Sequence, residues 1–292
     1  MPELLYPPSR PQSAGEVLDA AFRIFGATLA KCLPYAVGAV IIGQLPNLYS
    51  LIAHRSLLQG PLRLQAIRDP LWWVLFVVAI FGAMALTNAL ILRQYALASG
   101  HPVEPRTEFA TAVRRIPGLV LIALLLMLTI VAFLVPVFMV LGAARLSAAP
   151  ATAAAYVTLT ALVLLIPASW LLVRWSCAGT VYLLTDRGAI ESMGHSWRLT
   201  AGSFWRLSLI YTVAILLLLV LYVLSIAIAG VLSFVFGHGD IAVVTAAATV
   251  AIILLRAVVS PFYCALALAV LGELSVRREG ADLAERIAAA TE

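Results

Sequence analysis

Six stretches of this 292-residue chain run for about twenty residues or more with almost no charge, and that feature excludes most folds. They lie at about 32–53, 70–92, 116–144, 152–184, 207–235 and 241–272. A helix of roughly 20 mostly apolar residues, rising 1.5 Å per residue, matches the hydrocarbon thickness of a bilayer. Barrel strands would alternate apolar and polar positions, and these runs are apolar all round. The composition agrees: 63% of residues are hydrophobic, 11% are charged, and the mean hydropathy is +1.04. So few charged residues cannot coat a water-soluble domain of this length, and disorder needs the opposite balance. The expected fold is all-α and polytopic: one integral membrane domain with six transmembrane helices and short interfacial amphipathic helices.

Orientation follows from basic residues in the flanks. The N-terminus, 101–115, 186–206 and the C-terminus hold twelve Arg and Lys, whereas the opposite loops hold four: Arg55, Arg63, Arg68 and Arg145. This asymmetry puts both termini in the cytoplasm. The start of the chain lacks the basic, apolar and small-residue order of a signal peptide, so the first span is expected to remain as an anchor. The excess of arginine suits anionic lipid rather than nucleic acid, because no polybasic run or reader motif accompanies it.

A short amphipathic segment precedes each odd-numbered span. Ser13 and Glu16 form a capping-box pattern, followed by Val17, Leu18, Ala21, Phe22 and Phe25 on one face and Asp19 and Arg23 on the other. Near the second, Phe109, Val113 and Ile116 oppose Glu108, Thr111 and Arg115. In the third, Ile190, Met193 and Trp197 oppose Glu191, His195 and Arg198. Such helices lie in the headgroup plane, apolar side down. Gly26, Pro117 and Gly202 are expected to interrupt each junction. Phe22, Arg23, Arg114, Trp197 and Arg198 are the candidate interfacial anchors.

The pattern points to a threefold internal repeat. Arg23, Arg114 and Arg198 are spaced by 91 and 84 residues, and Arg93, Arg174 and Arg256 by 81 and 82. The units would be about 13–98, 107–185 and 188–274, with a cytoplasmic tail at 275–292 whose Leu283 and Ile287 share one side.

No catalytic motif is legible. The four His are scattered, and HExxH, P-loop and GxSxG patterns are missing. The three Cys form no CxxC and read as small buried hydrophobes. No metal or cofactor is implied. All 14 Asp and Glu lie outside the apolar stretches, which disfavours a carboxylate-based proton relay within the membrane.

The sharpest positive signal is Arg174 and Arg256, each inside an apolar stretch. An arginine at the bilayer centre costs about 2.5–3.5 kcal/mol on insertion scales. Each guanidinium therefore needs carbonyls, hydroxyls, water or an anion. Both a buried cationic pocket for a phosphate or carboxylate and a structural cation bracing kinked helices fit the pattern. Pro167 and Pro261 lie nearby and can free backbone carbonyls. Arg93 follows a run already long enough to span, so it reads as an interface anchor, although the repeat sets it level with the other two.

Three segments carry a resemblance. Arg10 to Ile24, Asp186 to Arg206 and Glu273 to Leu283 resemble the corresponding motifs of the glycerophosphodiester phosphodiesterase membrane-domain group and of the YciC-like inner-membrane proteins of bacteria. Ala168 after Pro167 departs from the Pro-Gly of that pattern. The resemblance implies a helical protein of the bacterial inner membrane and transfers no catalytic residue. The expected role is therefore non-enzymatic: a membrane scaffold or accessory subunit contacting lipids and other membrane proteins. The alternative is a transporter or lipid-handling protein that holds an anionic or amphiphilic ligand through buried arginines.

Overall fold

Helix α1 (Ala14–Gly43) begins where the sequence asks it to. The Ser13 hydroxyl accepts from the Glu16 N–H at 3.3 Å, and the Glu16 carboxylate accepts from the Ser13 N–H at 2.7 Å. Two of the helix's four orphan donors are thereby satisfied. Arg10 reaches the other Glu16 oxygen at 2.6 Å. Val17, Ala20, Ala21, Ile24, Thr28, Cys32, Ala36 and Ala39 then form one buried stripe at helical spacing.

The computed structural model describes residues 5–54, 69–101, 103–145, 150–237 and 241–280. It is all-helical, 87% helix, with no strand among the described residues. The further helices are α2 (Leu45–His54), α3 (Pro70–Ala98), α4 (Pro105–Arg114), α5 (Ile116–Arg145), α6 (Pro150–Arg174), α7 (Ala178–Leu184), α8 (Ala189–Leu199), α9 (Phe204–Gly237) and α10 (Ile241–Glu279). Among the described residues, six helices are long and apolar enough to cross a membrane, which marks an integral membrane protein.

The chain packs as two compact units, one of Met1–Ile116 with Leu209–Glu292 and one of Pro117–Ser208. Their boundaries do not coincide with the three expected repeat units.

In the first unit α1 packs on both α3 and α10, and α3 also packs on α10, α2 and α4. The contact surfaces are rich in small residues, which lets helix backbones approach in a medium that supplies no hydrophobic drive between helices. Gly82 on α3 faces Ile42 so closely that a Cβ there would lie 2.8 Å from the Ile42 Cγ2. Gln94 ties the three helices together, donating to the Thr28 hydroxyl at 3.2 Å and the Pro261 carbonyl at 2.9 Å. Asp69 caps α3 through the Leu71 N–H at 2.9 Å, and Tyr49 on α2 donates to the same carboxylate.

The N-terminal segment is fixed to this unit. The N–H groups of Leu5 and Tyr6 donate to the Ala98 carbonyl at 3.1 and 3.2 Å, and Arg277 donates to the Gln12 carbonyl at 3.2 Å. The Tyr6 ring meets Tyr95 edge-on and covers Gly272, where a Cβ would lie 2.7 Å from it.

In the second unit α7 packs on α8. Ile122, Ala178 and Met193 form its buried centre, with Leu119, Leu125, Trp175 and Tyr182 against them. Tyr182 occupies the space a side chain at Gly118 would need.

Several sequence expectations need correction. Gly26 does not end a separate interfacial helix, because α1 runs unbroken through it and through Pro34. A helical glycine costs only about 1 kcal/mol, and the continuous buried stripe outweighs that. Breaks do occur near Pro117, after Arg114, and at Gly202, whose φ is 71°. The first and fourth stretches are each broken mid-way, at Gln44 and at 175–177, and Pro167 does not break its helix. On α4 Phe109 and Val113 are exposed, but Glu108, expected on the polar face, is buried together with Ala112. On α8 Ile190 is 71% exposed, and Ser192, His195 and Ser196 turn inward beside Met193. Glu108 turns inward to Arg93, and the Ser196 hydroxyl donates to the Arg174 carbonyl. The tail at 281–292, with Leu283 and Ile287, lies outside the described residues, as do Arg55, Arg63 and Arg68.

The tight approach at Gly82 gives a test. Gly82→Leu should force α1 and α3 apart and destabilise the protein by about 1–3 kcal/mol. Gly26→Ala, with nothing within 4 Å of the added Cβ, should stabilise it by up to about 1 kcal/mol. Thermal midpoints in detergent measure both, and equal midpoints would remove the close-packing account.

Candidate functional site

The three arginines of the apolar stretches have three different surroundings. Arg93, near the end of α3, donates to the Val103 carbonyl at 3.0 Å and pairs with Glu108 of α4 at 3.3 Å. The Glu108 side chain is 3% exposed, and its second oxygen has no hydrogen-bond partner. The acids thus stand outside the apolar stretches, as the sequence indicates, yet two of them are enclosed by protein. Glu273 is the other, 1% exposed and paired with Arg277 at 2.7 Å.

Arg174 ends α6. Its guanidinium sits over two indoles that meet each other edge-on, 5.1 Å from the Trp170 ring centre and 4.9 Å from that of Trp197. It donates to the Trp197 carbonyl at 3.1 Å. In return, the Arg174 carbonyl accepts from the hydroxyls of Ser196 at 2.8 Å and Thr200 at 3.2 Å. The end of α6 leaves that carbonyl without a helical donor, and α8 supplies two. Arg174 therefore braces α6 against α8 through flanking aromatic faces, neutral carbonyls and hydroxyls.

Arg256 differs from both. It lies within α10 and is exposed, and among the described residues no group accepts a hydrogen bond from it. It lines a cavity of about 380 Å³ in the first unit with Gln44, Thr87, Ser260 and Tyr263, over a floor of Ala39, Val40, Gly43, Ala83 and Val259. That volume falls in the range of ligand pockets, roughly 300–1,000 Å³.

The cavity lies part-way along α3 and α10, beside the end of α1. A Cβ on Gly43 would meet the Ala83 Cβ at 3.9 Å. Ala83 is roughly 20 Å along α3 from Pro70, and Arg256 is roughly 23 Å along α10 from Ile241, at 1.5 Å per residue. At this level the first span breaks. Gln44 closes α1, α2 starts at Leu45, and Pro46 has no N–H to return to the Ile42 carbonyl. The Gln44 side-chain oxygen accepts from the Asn47 amide at 2.7 Å, which leaves its own NH2 free to donate. Irregular backbone at membrane depth is tolerated where it lines a cavity.

Phe22, Arg23, Arg114 and Arg198 are exposed at the surface, whereas Trp197 is half-buried against Arg174. Phe22 also packs on Phe262, with ring centres 4.8 Å apart. Sequence reasoning missed Gln44, Thr87, Ser260 and Tyr263. Their signal was available: each is a hydrogen-bonding residue inside an apolar stretch, and Gln44 is two residues before a proline. Among the described residues no group of His, Cys, Asp and Glu is arranged to hold a metal ion. No family model, curated protein or solved structure matches the chain.

Proposed function

We propose that the protein is a non-enzymatic integral membrane protein that holds an anionic amphiphile at Arg256, as a lipid-handling protein or transporter would. The observation that carries this reading is a cation without a protein partner in a cavity part-way along two apolar helices and beside the end of a third. Within a bilayer a bare guanidinium there is unfavourable by several kcal/mol, and an anionic headgroup removes the penalty. The break at Gln44 beside the cavity supports the same reading, since interrupted helices are where membrane proteins bind polar groups at depth. Arg174 and Arg93 fall to bracing roles, because each already has protein partners. The scaffold role is the second reading, supported by α5 and α6, whose apolar surfaces are almost wholly exposed. The location we propose is the bacterial inner membrane with both termini cytoplasmic, from the arginine asymmetry and the resemblance to the YciC-like group.

The test is mass spectrometry of the protein released from mild detergent. The wild type should retain an acidic lipid, and Arg256→Gln should lose it with a thermal midpoint changed by less than about 2 °C. Equal retention by both proteins would overturn the reading, and a copurifying protein partner would favour the scaffold.

A further inference from the structure

The cavity's chemistry narrows what can occupy it, given that Arg256 is a binding residue. The inference rests on that reading of the site. Its lining contains one formal charge, the Arg256 guanidinium, and no carboxylate. Its remaining polar groups are neutral: the Gln44 amide and the hydroxyls of Thr87, Ser260 and Tyr263. Half of the lining is aliphatic and carries no hydrogen-bonding side chain.

In such surroundings charge must balance locally, because an unpaired charge away from water is strongly disfavoured. One guanidinium balances one negative charge. A dianionic phosphate monoester would leave a charge uncompensated. A zwitterionic headgroup would bring an ammonium into the same cavity as Arg256, with no acid to receive it. A monoanion without an ammonium is the only headgroup class that leaves no residual charge.

Shape adds a second constraint. A guanidinium presents parallel N–H donors in a planar fork that matches the two unesterified oxygens of a phosphodiester. The neutral amide and hydroxyls come from all three helices around the cavity, so they can meet several further oxygens. A carboxylate at the head of an alkyl chain would leave most of them unmet. About 380 Å³ suits a headgroup but not two acyl chains, which would run along the exposed apolar faces of the helices.

We infer that the Arg256 cavity selects a monoanionic phosphodiester bearing a neutral, hydroxyl-rich alcohol, and rejects phosphate monoesters, zwitterionic diesters and simple carboxylates. The experiment is competitive native mass spectrometry at pH 8, where a phosphate monoester carries its second charge. The detergent-purified full chain is offered equal amounts of phosphatidylglycerol, phosphatidylethanolamine, phosphatidate and oleate. Phosphatidylglycerol should be retained about tenfold or more over each of the others, equivalent to about 1.4 kcal/mol. Arg256→Gln should abolish the preference. Arg256→Lys, which keeps the charge but loses the fork, should retain it only in part. Diethyl phosphate added at millimolar concentration identifies the source: displacement of phosphatidylglycerol supports recognition of the diester itself, and persistence supports recognition of the diester on a lipid.

If phosphatidate, phosphatidylethanolamine or oleate is retained as well as phosphatidylglycerol, and Arg256→Gln loses it, the selectivity inference is overturned while the binding site stands. If the wild type and Arg256→Gln retain every lipid alike, the site itself is overturned.

Discussion

Arg93→Ala should lower the stability of the protein by about 3–5 kcal/mol, as expected when one partner of a buried ion pair is deleted. Glu108 is 3% exposed, and one of its oxygens already lacks a hydrogen bond. Removing the guanidinium at 3.3 Å would leave a carboxylate enclosed by α3 and α4 with no cation against it. The thermal midpoint in detergent should fall by roughly 5–8 °C, on the scaling for a chain of this size. The double variant Arg93→Leu with Glu108→Leu removes both charges and should recover most of the loss, because replacing a buried pair by apolar residues is often neutral. A single variant that melts with the wild type would mean that water reaches Glu108 freely and that the pair contributes little.

Arg174→Ala should be nearly as damaging, by about 2–4 kcal/mol, and for a different reason. The substitution deletes two cation–aromatic contacts and a charged hydrogen bond to the Trp197 carbonyl. These terms share one geometry and do not add in full. Intrinsic tryptophan fluorescence should shift, because Trp170 and Trp197 both face the missing guanidinium. Arg174→Lys should restore only part of the stability, since a point charge cannot face both indoles and reach the carbonyl at once. Lipid retention should stay at the wild-type level. A variant of unchanged stability that loses a bound lipid would move Arg174 from brace to binding residue.

The sequence made the helices legible and their partners only in part. Every expected span has a helix over it, because unbroken apolar runs of this length have few alternatives. Junctions were harder. Gly26 looked like a stop, yet the stripe from Val17 to Ala39 carries α1 through it. Gln44 and Trp175 looked like interior positions, and the helices break there. Local residue preferences are small beside the packing of a whole helix face, so they mark candidate breaks without choosing among them. The three arginines were visible as anomalies, but their different surroundings depend on residues far away in the chain. Glu108 became the partner of Arg93 only when α4 turned its acidic residue inward, which its periodicity alone does not reveal. The Arg256 cavity draws on three helices, and no single stretch of sequence contains it.

The first unit is built from both ends of the chain, with Tyr6 lying on Gly272 and Gln12 held by Arg277. The ribosome therefore delivers half of this bundle long before the other half. After α1, α2 and α3 enter the bilayer, all of α4 to α9 must be synthesised before α10 arrives to cover the Cys32–Leu90 face and satisfy Gln94 through the Pro261 carbonyl. During that interval nascent chains carry an open polar seam in lipid, the kind of surface that insertion chaperones shield. Chains stalled before residue 261 should accordingly be substrates for membrane proteases, whereas chains that reach Arg277 close the ring and escape.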